Sequence, residues 1–112
     1  MLPKKNKLQK SLFECNPNPI RKLFYDGFAV YYKKSDEECS RFAIIVPKKI
    51  YKKATQRNRI KRYFYNLISL SLQDLKVSVQ AKIRIVKIIN EKYKEQIKEN
   101  LNIFIKKANE NN

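Results

Sequence analysis

A run of basic residues carried by an apolar helical pattern constrains this chain more than any other feature. The run is Arg57-Asn58-Arg59-Ile60-Lys61-Arg62, and the stretch from Cys39 to Gln73 holds nine lysines and arginines and no acidic residue. At about 100° per residue, five apolar side chains share one arc of a helix: Ile60, Tyr63, Phe64, Leu67 and Ile68. We therefore predict a helix from about Thr55 to Leu72 that buries this arc and turns a basic arc outward.

The outward arc predicts a polyanionic partner. Cations in the first two turns oppose the helix dipole, whose N-terminal end is positive. A sequence that breaks a local rule this strongly serves a partner rather than its own stability. The alternative is a solvated basic face, although ordinary surfaces mix both signs of charge. The candidate RNA-binding residues are those of the arc and the lysines before it: Lys48, Lys49, Lys52, Lys53, Arg57, Asn58, Arg59, Lys61 and Arg62.

Length and charge narrow the class of protein. A chain of 112 residues fits one domain, which we place at residues 1–108, and a net charge of +16 is typical of nucleic-acid binders. Apolar runs are too short for a membrane span, and Met1–Lys7 lacks the apolar core of a signal peptide. We expect a cytoplasmic protein. An anionic membrane surface would also attract this charge, but it requires an amphipathic helix free to lie flat.

Chemistry-bearing residues are scarce. The chain has no histidine, which is the commonest zinc ligand and general base. Its two cysteines, Cys15 and Cys39, do not form a Cys-x-x-Cys pair, and three of its ten carboxylates occupy one acidic stretch at residues 36–38. A metal-dependent nuclease needs carboxylates that converge on the ions. We therefore expect the protein itself to carry no catalytic centre and to bind no metal.

The two ends of the chain carry separate expectations. Residues 1–10 form a basic arm, which is either a frayed terminus or an extension that contacts phosphates. A short helix is predicted over Ser11–Cys15, with Ser11 as its cap and Pro17 stopping it. At the other end, Asn90 is predicted to cap a last helix, and residues 109–112 are predicted to be disordered. The last helix has an apolar stripe that is predicted to pack into the core: Tyr93, Ile97, Leu101, Phe104, Ile105 and Ala108.

Three strands are expected between these ends. Phe28–Lys34 follows a turn at Asp26-Gly27 and alternates in hydrophobicity, so it has an inner and an outer face. The nearly continuous apolar run from Arg41 to Val46 favours a central strand that is covered on both faces. Residues 79–86 alternate again and predict a strand with one apolar face.

A second candidate surface lies on the outward face of the first of these strands. Ala29 and Tyr31 face outward there, and Phe13 and Lys87 are placed to close a cleft over them. Aromatic rings beside cations suit single-stranded RNA, because every base can stack on a ring. The alternative is that Phe13 and Tyr31 belong to the core.

The basic stretch also resembles a known family. Pro47-Lys48-Lys49-Ile50, followed by Lys53–Arg62 with its Arg-Asn-Arg-Ile-Lys-Arg run, is similar to the signature of the bacterial ribonuclease P protein component. The resemblance extends over nearly the whole chain. The departures are Pro47 and Tyr51 where the family often has serine and glycine, Tyr65 where it often has arginine, and Pro17 near its second phenylalanine.

The resemblance implies both a fold and a function. The fold would be α+β, a mixed α/β sandwich with a small central sheet in the order α-β-β-β-α-β-α. Its arginine helix would cross between two parallel strands with a left-handed connection, against the usual right-handed rule.

The function implied is that of the protein subunit of ribonuclease P, which assembles with a catalytic RNA and holds the 5′ leader of precursor tRNA in the cleft. Mg²⁺ bound mainly by the RNA would serve the hydrolysis, and neither a membrane nor a small-molecule substrate is expected. A basic ribosomal or general RNA-binding module without a role in tRNA processing stays open as the alternative.

Overall fold

One four-stranded sheet organises the backbone in the computed structural model, which describes residues 4–110. The strands are β1 (Arg21–Tyr25), β2 (Phe28–Lys34), β3 (Arg41–Ile45) and β4 (Val79–Ile85). The α-helices are α1 (Lys10–Cys15), α2 (Ala54–Ser71) and α3 (Lys94–Glu110). Short 3₁₀ turns lie at Lys4–Asn6, Leu72–Asp74 and Glu91–Tyr93.

The sheet is mixed, with the strands in the order β1-β2-β4-β3. The first two strands form a hairpin around Asp26-Gly27, where Gly27 has φ +97°, a value that side-chain-bearing residues rarely adopt. Strands β2 and β4 are antiparallel, whereas β3 and β4 are parallel and are joined through α2. The predicted α+β class and element order are therefore confirmed. The left-handed sense of the α2 connection stays an expectation from the family resemblance.

The core lies between one face of the sheet and the two long helices. Phe28, Val30 and Tyr32 of β2 point into it and are buried, as their alternation predicts. From α2, Phe64 and Ile68 reach the same core. The predicted apolar stripe of α3 packs into the same core through Ile97, Leu101, Phe104, Ile105 and Ala108. Its remaining member, Tyr93, lies in the 3₁₀ turn before the helix.

Strand β3 is at the edge of the sheet, so the prediction of a central strand is wrong. Its inward residues are buried, but Ile45 on the other face is 39% exposed. The apolar run correctly signals burial of one face. It does not say what covers the other, because alternating residues of an edge strand can all be apolar when a neighbouring segment shields them.

The N-terminal arm runs along the free edge of β3. Lys7 bridges to Phe42 of β3, and the Leu8 amide donates to the Phe42 carbonyl at 2.8 Å. The buried Asn6 side chain donates to the Ser40 carbonyl at 2.8 Å. Residues 4–8 therefore pack along the sheet edge, where unpaired backbone groups would otherwise invite other strands.

Several boundaries differ from the sequence expectations. The strand that sequence reading did not locate is β1, and α1 begins at Lys10 after Gln9, so Ser11 is not its cap. Asn90 caps a 3₁₀ turn before α3 by accepting from the Lys92 amide at 2.9 Å. The predicted disordered tail is wrong at Asn109 and Glu110, which belong to α3, and its other two residues lie outside the described residues.

Candidate RNA-binding surfaces

The basic arc of α2 lies on the outside of the molecule. Asn58, Arg59 and Arg62 are exposed, and together with Thr55 they line a groove of about 300 Å³. The helix begins after Lys53, whose side chain makes no capping hydrogen bond, and its first turn contains no acidic residue. Cationic side chains and unpaired backbone amides thus converge at a positive helix end, which is a favourable place for phosphate.

Lys61 is half-buried rather than exposed, and Arg57 also departs from the prediction that all arc residues face solvent. Its Nη1 atom donates to the backbone carbonyls of Tyr51 at 3.0 Å and Lys52 at 2.9 Å, and the residue is half-buried. Because these carbonyls belong to the segment before α2, Arg57 fastens that segment to the helix. The four lysines of the segment remain exposed beside the arc: Lys48, Lys49, Lys52 and Lys53.

Tyr51 fastens the same segment from its other side. The backbone turns at Pro47, whose carbonyl accepts from the Tyr51 amide at 3.2 Å. The buried Tyr51 hydroxyl accepts from the Ile89 amide at 2.7 Å and lies 3.3 Å from the Ile89 carbonyl, to which it can donate. Position 51, where the resembling family often has glycine, therefore anchors the lysine segment to the chain that follows β4.

The outer face of the sheet carries the second candidate surface. Strand register aligns Lys22, Tyr31 and Lys82 in one row across β1, β2 and β4. Helix α1 covers part of this face through Phe13, and the ammonium groups of Lys33 and Lys82 each lie 4.5 Å from the centre of its ring. The arrangement combines cations and aromatic rings, as a surface for single-stranded RNA requires.

Three of the four predicted cleft residues share this outer face, and the fourth does not. Phe13 and Ala29 are almost fully buried, at 4% and 2% exposure, and Tyr31 is half-exposed. Lys87 lies instead at the β1–β2 turn, where it forms an ion pair with Asp26 and its ammonium lies 5.1 Å from the centre of the Tyr93 ring. That hydrogen bond to Asp26 raises the pKa of Lys87. A role for Lys87 in RNA binding stays a prediction, now at a separate place from the cleft.

Comparison with known proteins identifies the family. The family model described as "Ribonuclease P" matches residues 2–109. The chain belongs to the ribonuclease P protein family. Membership makes it an RNA-binding ribonucleoprotein component of tRNA processing, and the resemblance based on the arginine signature is confirmed. A search of the curated proteins finds no match.

Solved structures show the same fold. The RNase P protein from Thermotoga maritima superimposes with a TM-score of 0.68 at 20% identity, covering 90% of this chain and 96% of the other. A second structure of that protein, in complex with 1-(4-fluorophenyl)-2-thiourea, has a TM-score of 0.62 at 22% identity and covers 78% and 84%. A Staphylococcus aureus RNase P protein mutant with defective mRNA degradation activity has a TM-score of 0.69 at 22% identity, covering 94% and 89%.

Several candidate residues on the sheet of this ribonuclease P protein were not predicted from the sequence. Phe24 is 71% exposed and packs edge-on against Tyr31, with ring centres 6.3 Å apart. Arg84 lies on the same outer face, in register with Ala29. The alternation of β4 places Lys82 and Arg84 on its polar face, but only the strand pairing shows that this face adjoins Tyr31.

Two tyrosines have pKa values shifted by burial. Burial raises the pKa values of Tyr25 and Tyr63, so both hydroxyls keep their protons at neutral pH. No group of three His, Cys, Asp or Glu side chains is placed to hold a metal within residues 4–110. No helix in the same range is both long and apolar enough to cross a membrane.

Proposed function

We propose that this protein is the subunit of ribonuclease P that binds both the catalytic RNA and the 5′ leader of precursor tRNA. The observation that carries the proposal is the basic arc at the start of α2, within a chain matched by the family over residues 2–109. Arginine forks on this arc match phosphate oxygens bidentately, and Asn58 can bond to phosphate, a 2′-hydroxyl or a base edge.

The two surfaces would bind different RNAs. The arc and its preceding lysines bind the folded RNA subunit through phosphates, which provides affinity but little discrimination. The outer sheet face holds the single-stranded leader on Tyr31, with Lys82 and Arg84 beside it. Screening of phosphate repulsion by these cations would bring leader and RNA subunit together.

The chemistry is assigned to the RNA. Mg²⁺ bound mainly by the RNA subunit would support hydrolysis of the bond between the leader and the mature tRNA. The described side chains form no convergent ligand set for such an ion. We therefore assign this chain the positioning of RNA and no step at a metal.

Precursor-tRNA cleavage tests the proposal directly. A bacterial ribonuclease P RNA is assayed at low Mg²⁺ with and without the purified protein. We expect the protein to raise kcat/KM for the precursor and to cleave nothing alone. Ribonuclease activity that copurifies with the protein at constant specific activity would contradict the assignment of chemistry to the RNA. Equal binding of precursor and mature tRNA by the assembled enzyme would favour the general RNA-binding alternative.

The leader surface has a sharper test in Tyr31→Ala. Loss of a stacking partner should weaken the binding of precursor tRNA relative to mature tRNA by about 1–3 kcal/mol, because mature tRNA has no leader to stack. Phe13→Ala should behave differently, since Phe13 is buried: it should lower the melting temperature as well as the precursor-to-mature affinity ratio. If both variants keep the ratio of the parent protein, the leader is held elsewhere.

A further inference from the structure

A second cavity adjoins the basic arc and has a different chemistry. It measures about 300 Å³ and lies between the first half of α2 and the segment that leads into α3. Its apolar part comes from Tyr51, Ile60, Tyr63 and Ile89. Concave sites of roughly 300–1,000 Å³ with apolar walls and a few polar groups are typical of ligand pockets, and this one is at the small end of that range.

The rim of this cavity supplies polar groups from both walls. Gln56 and Arg59 stand on α2, and Asn90, Glu91 and Lys94 stand on the opposite wall. Lys94 pairs with Glu91 at 3.0 Å, and its ammonium lies 5.1 Å from the centre of the Tyr63 ring. The rim can therefore bond to the edge of a planar, uncharged group, while Glu91 disfavours a phosphate inside the cavity.

The walls are held in place by backbone contacts. The Tyr63 hydroxyl donates to the Lys94 carbonyl at 3.3 Å, and burial raises its pKa, so the proton for this bond is retained at neutral pH. On the floor, Tyr51 is fixed to Ile89 by the 2.7 Å bond that its hydroxyl accepts. The cavity is thus bounded by elements that are tied to each other across its base.

Arg59 connects this cavity to the phosphate groove. It lines the apolar cavity on one side, and on the other it lines the groove formed with Thr55, Asn58 and Arg62. A phosphate in the groove and a planar ring in the cavity would therefore lie on either side of one guanidinium. Unpaired bases in RNA are commonly received on aromatic rings and arginine planes, with their edges hydrogen-bonded.

We propose that this cavity receives a single unpaired base of the RNA bound along α2. The proposal rests on the proposed function, since it names a contact within the same RNA complex. The positive charge of the adjoining groove favours a nucleotide over an uncharged ligand, because the nucleotide brings its own phosphate to Arg59. The lysines and arginines of the arc would bind mainly phosphates, so this base would add recognition of an unpaired nucleotide in the RNA fold.

The test compares RNA hairpins that carry one bulged nucleotide with hairpins in which that nucleotide is abasic. We expect the protein to prefer the bulged base by roughly 5- to 150-fold, the range of a lost base stack. Tyr63→Leu should remove the preference and Tyr63→Phe should retain it. The matched control is Tyr65→Leu, because Tyr65 is also a half-buried tyrosine of α2 whose hydroxyl meets a backbone group, but it lies outside the cavity.

Amide chemical shifts locate the contact without any substitution. Adding each of the four nucleoside 5′-monophosphates should shift the signals of the groove and of Ile89–Lys94, whereas ribose 5-phosphate should shift those of the groove and leave Ile89–Lys94 unchanged. Equal affinity for bulged and abasic hairpins, or equal losses in Tyr63→Leu and Tyr65→Leu, would overturn the proposal while leaving RNA binding intact. Failure to bind any hairpin or precursor tRNA would instead overturn the proposed function.

Discussion

At the scale of single residues, Arg57 shows how binding and folding share one side chain. The signature groups it with Arg59 and Arg62, which are exposed as predicted, but at about 100° per residue Arg57 lies on the same side of α2 as Phe64 and Ile68. Arg57 turns back to two carbonyls of the lysine segment. Sequence reading misses this because the path of the segment depends on Tyr51 meeting Ile89, a contact between residues far apart in the chain.

The first prediction therefore separates two arginines that the signature treats alike. Arg57→Ala should lower the free energy of unfolding by about 1–2 kcal/mol, because two carbonyl acceptors lose a charged donor that is only partly exposed. Arg59→Ala should leave unfolding nearly unchanged, since Arg59 is exposed. Thermal melting of both variants, followed by RNA affinity, makes the comparison.

The control is Arg57→Lys, which keeps the charge but lacks the planar fork. We expect it to lose most of the stability lost in Arg57→Ala while keeping more of the RNA affinity. Equal melting temperatures for Arg57→Ala and Arg59→Ala would show that the two carbonyl bonds contribute nothing measurable.

At the scale of elements, patterns identified which faces are buried but not which neighbours bury them. The alternation in β2 and the apolar stripe of α3 predicted their inner faces correctly. The run in β3 was assigned to the centre of the sheet, because apolar residues on both faces imply cover without naming its source. The N-terminal arm pairs with the free edge of this strand at Phe42, although its charges predicted contact with solvent or phosphate.

The start of α2 gives the second prediction, a conflict between stability and binding. Lys53 occupies the N-cap position with extended backbone, φ −86° and ψ 135°, and makes no capping bond. Lys53→Ser should supply that cap and remove a cation from the positive end of the helix, raising the free energy of unfolding by about 1 kcal/mol. The same change should weaken RNA binding and reduce its salt slope by about one unit if Lys53 contacts a phosphate.

Lys98→Ser is the control for charge alone, because Lys98 is exposed on α3 and caps nothing. It should not stabilise the fold and should leave the RNA affinity close to that of the parent. A Lys53→Ser variant that is both more stable and equally tight on RNA would show that this position serves neither the arc nor its partner.

At the scale of the whole molecule, the spaced arginine signature was enough to indicate the family, class and element order. The complete element order came from the family resemblance, because hydrophobic periodicity alone did not locate β1. The sequence did not show that Lys87 pairs with Asp26 away from the aromatic cleft. That separation depends on strand register and on where the Lys87 side chain lies after β4. The apolar cavity beside Arg59 likewise joins residues from two distant segments.

The net charge of +16 leads to the last prediction, in which salt acts on folding and binding with opposite signs. The molecule measures 36 × 27 × 24 Å, so at an ionic strength of 0.01 M the screening length of about 30 Å lets cations across most of it repel each other. At 0.15 M that length falls to about 8 Å. The free protein should therefore melt at a higher temperature at 0.15 M, while its affinity for RNA should fall because releasing counterions from the phosphates gains less entropy in more concentrated salt. Melting curves and binding titrations across this range measure both effects.

Arg62→Ala should reduce both salt dependences, whereas Tyr31→Ala should reduce neither. A melting temperature that falls with salt would mean that attractive pairs such as Arg41–Glu37 outweigh the repulsion of the excess cations.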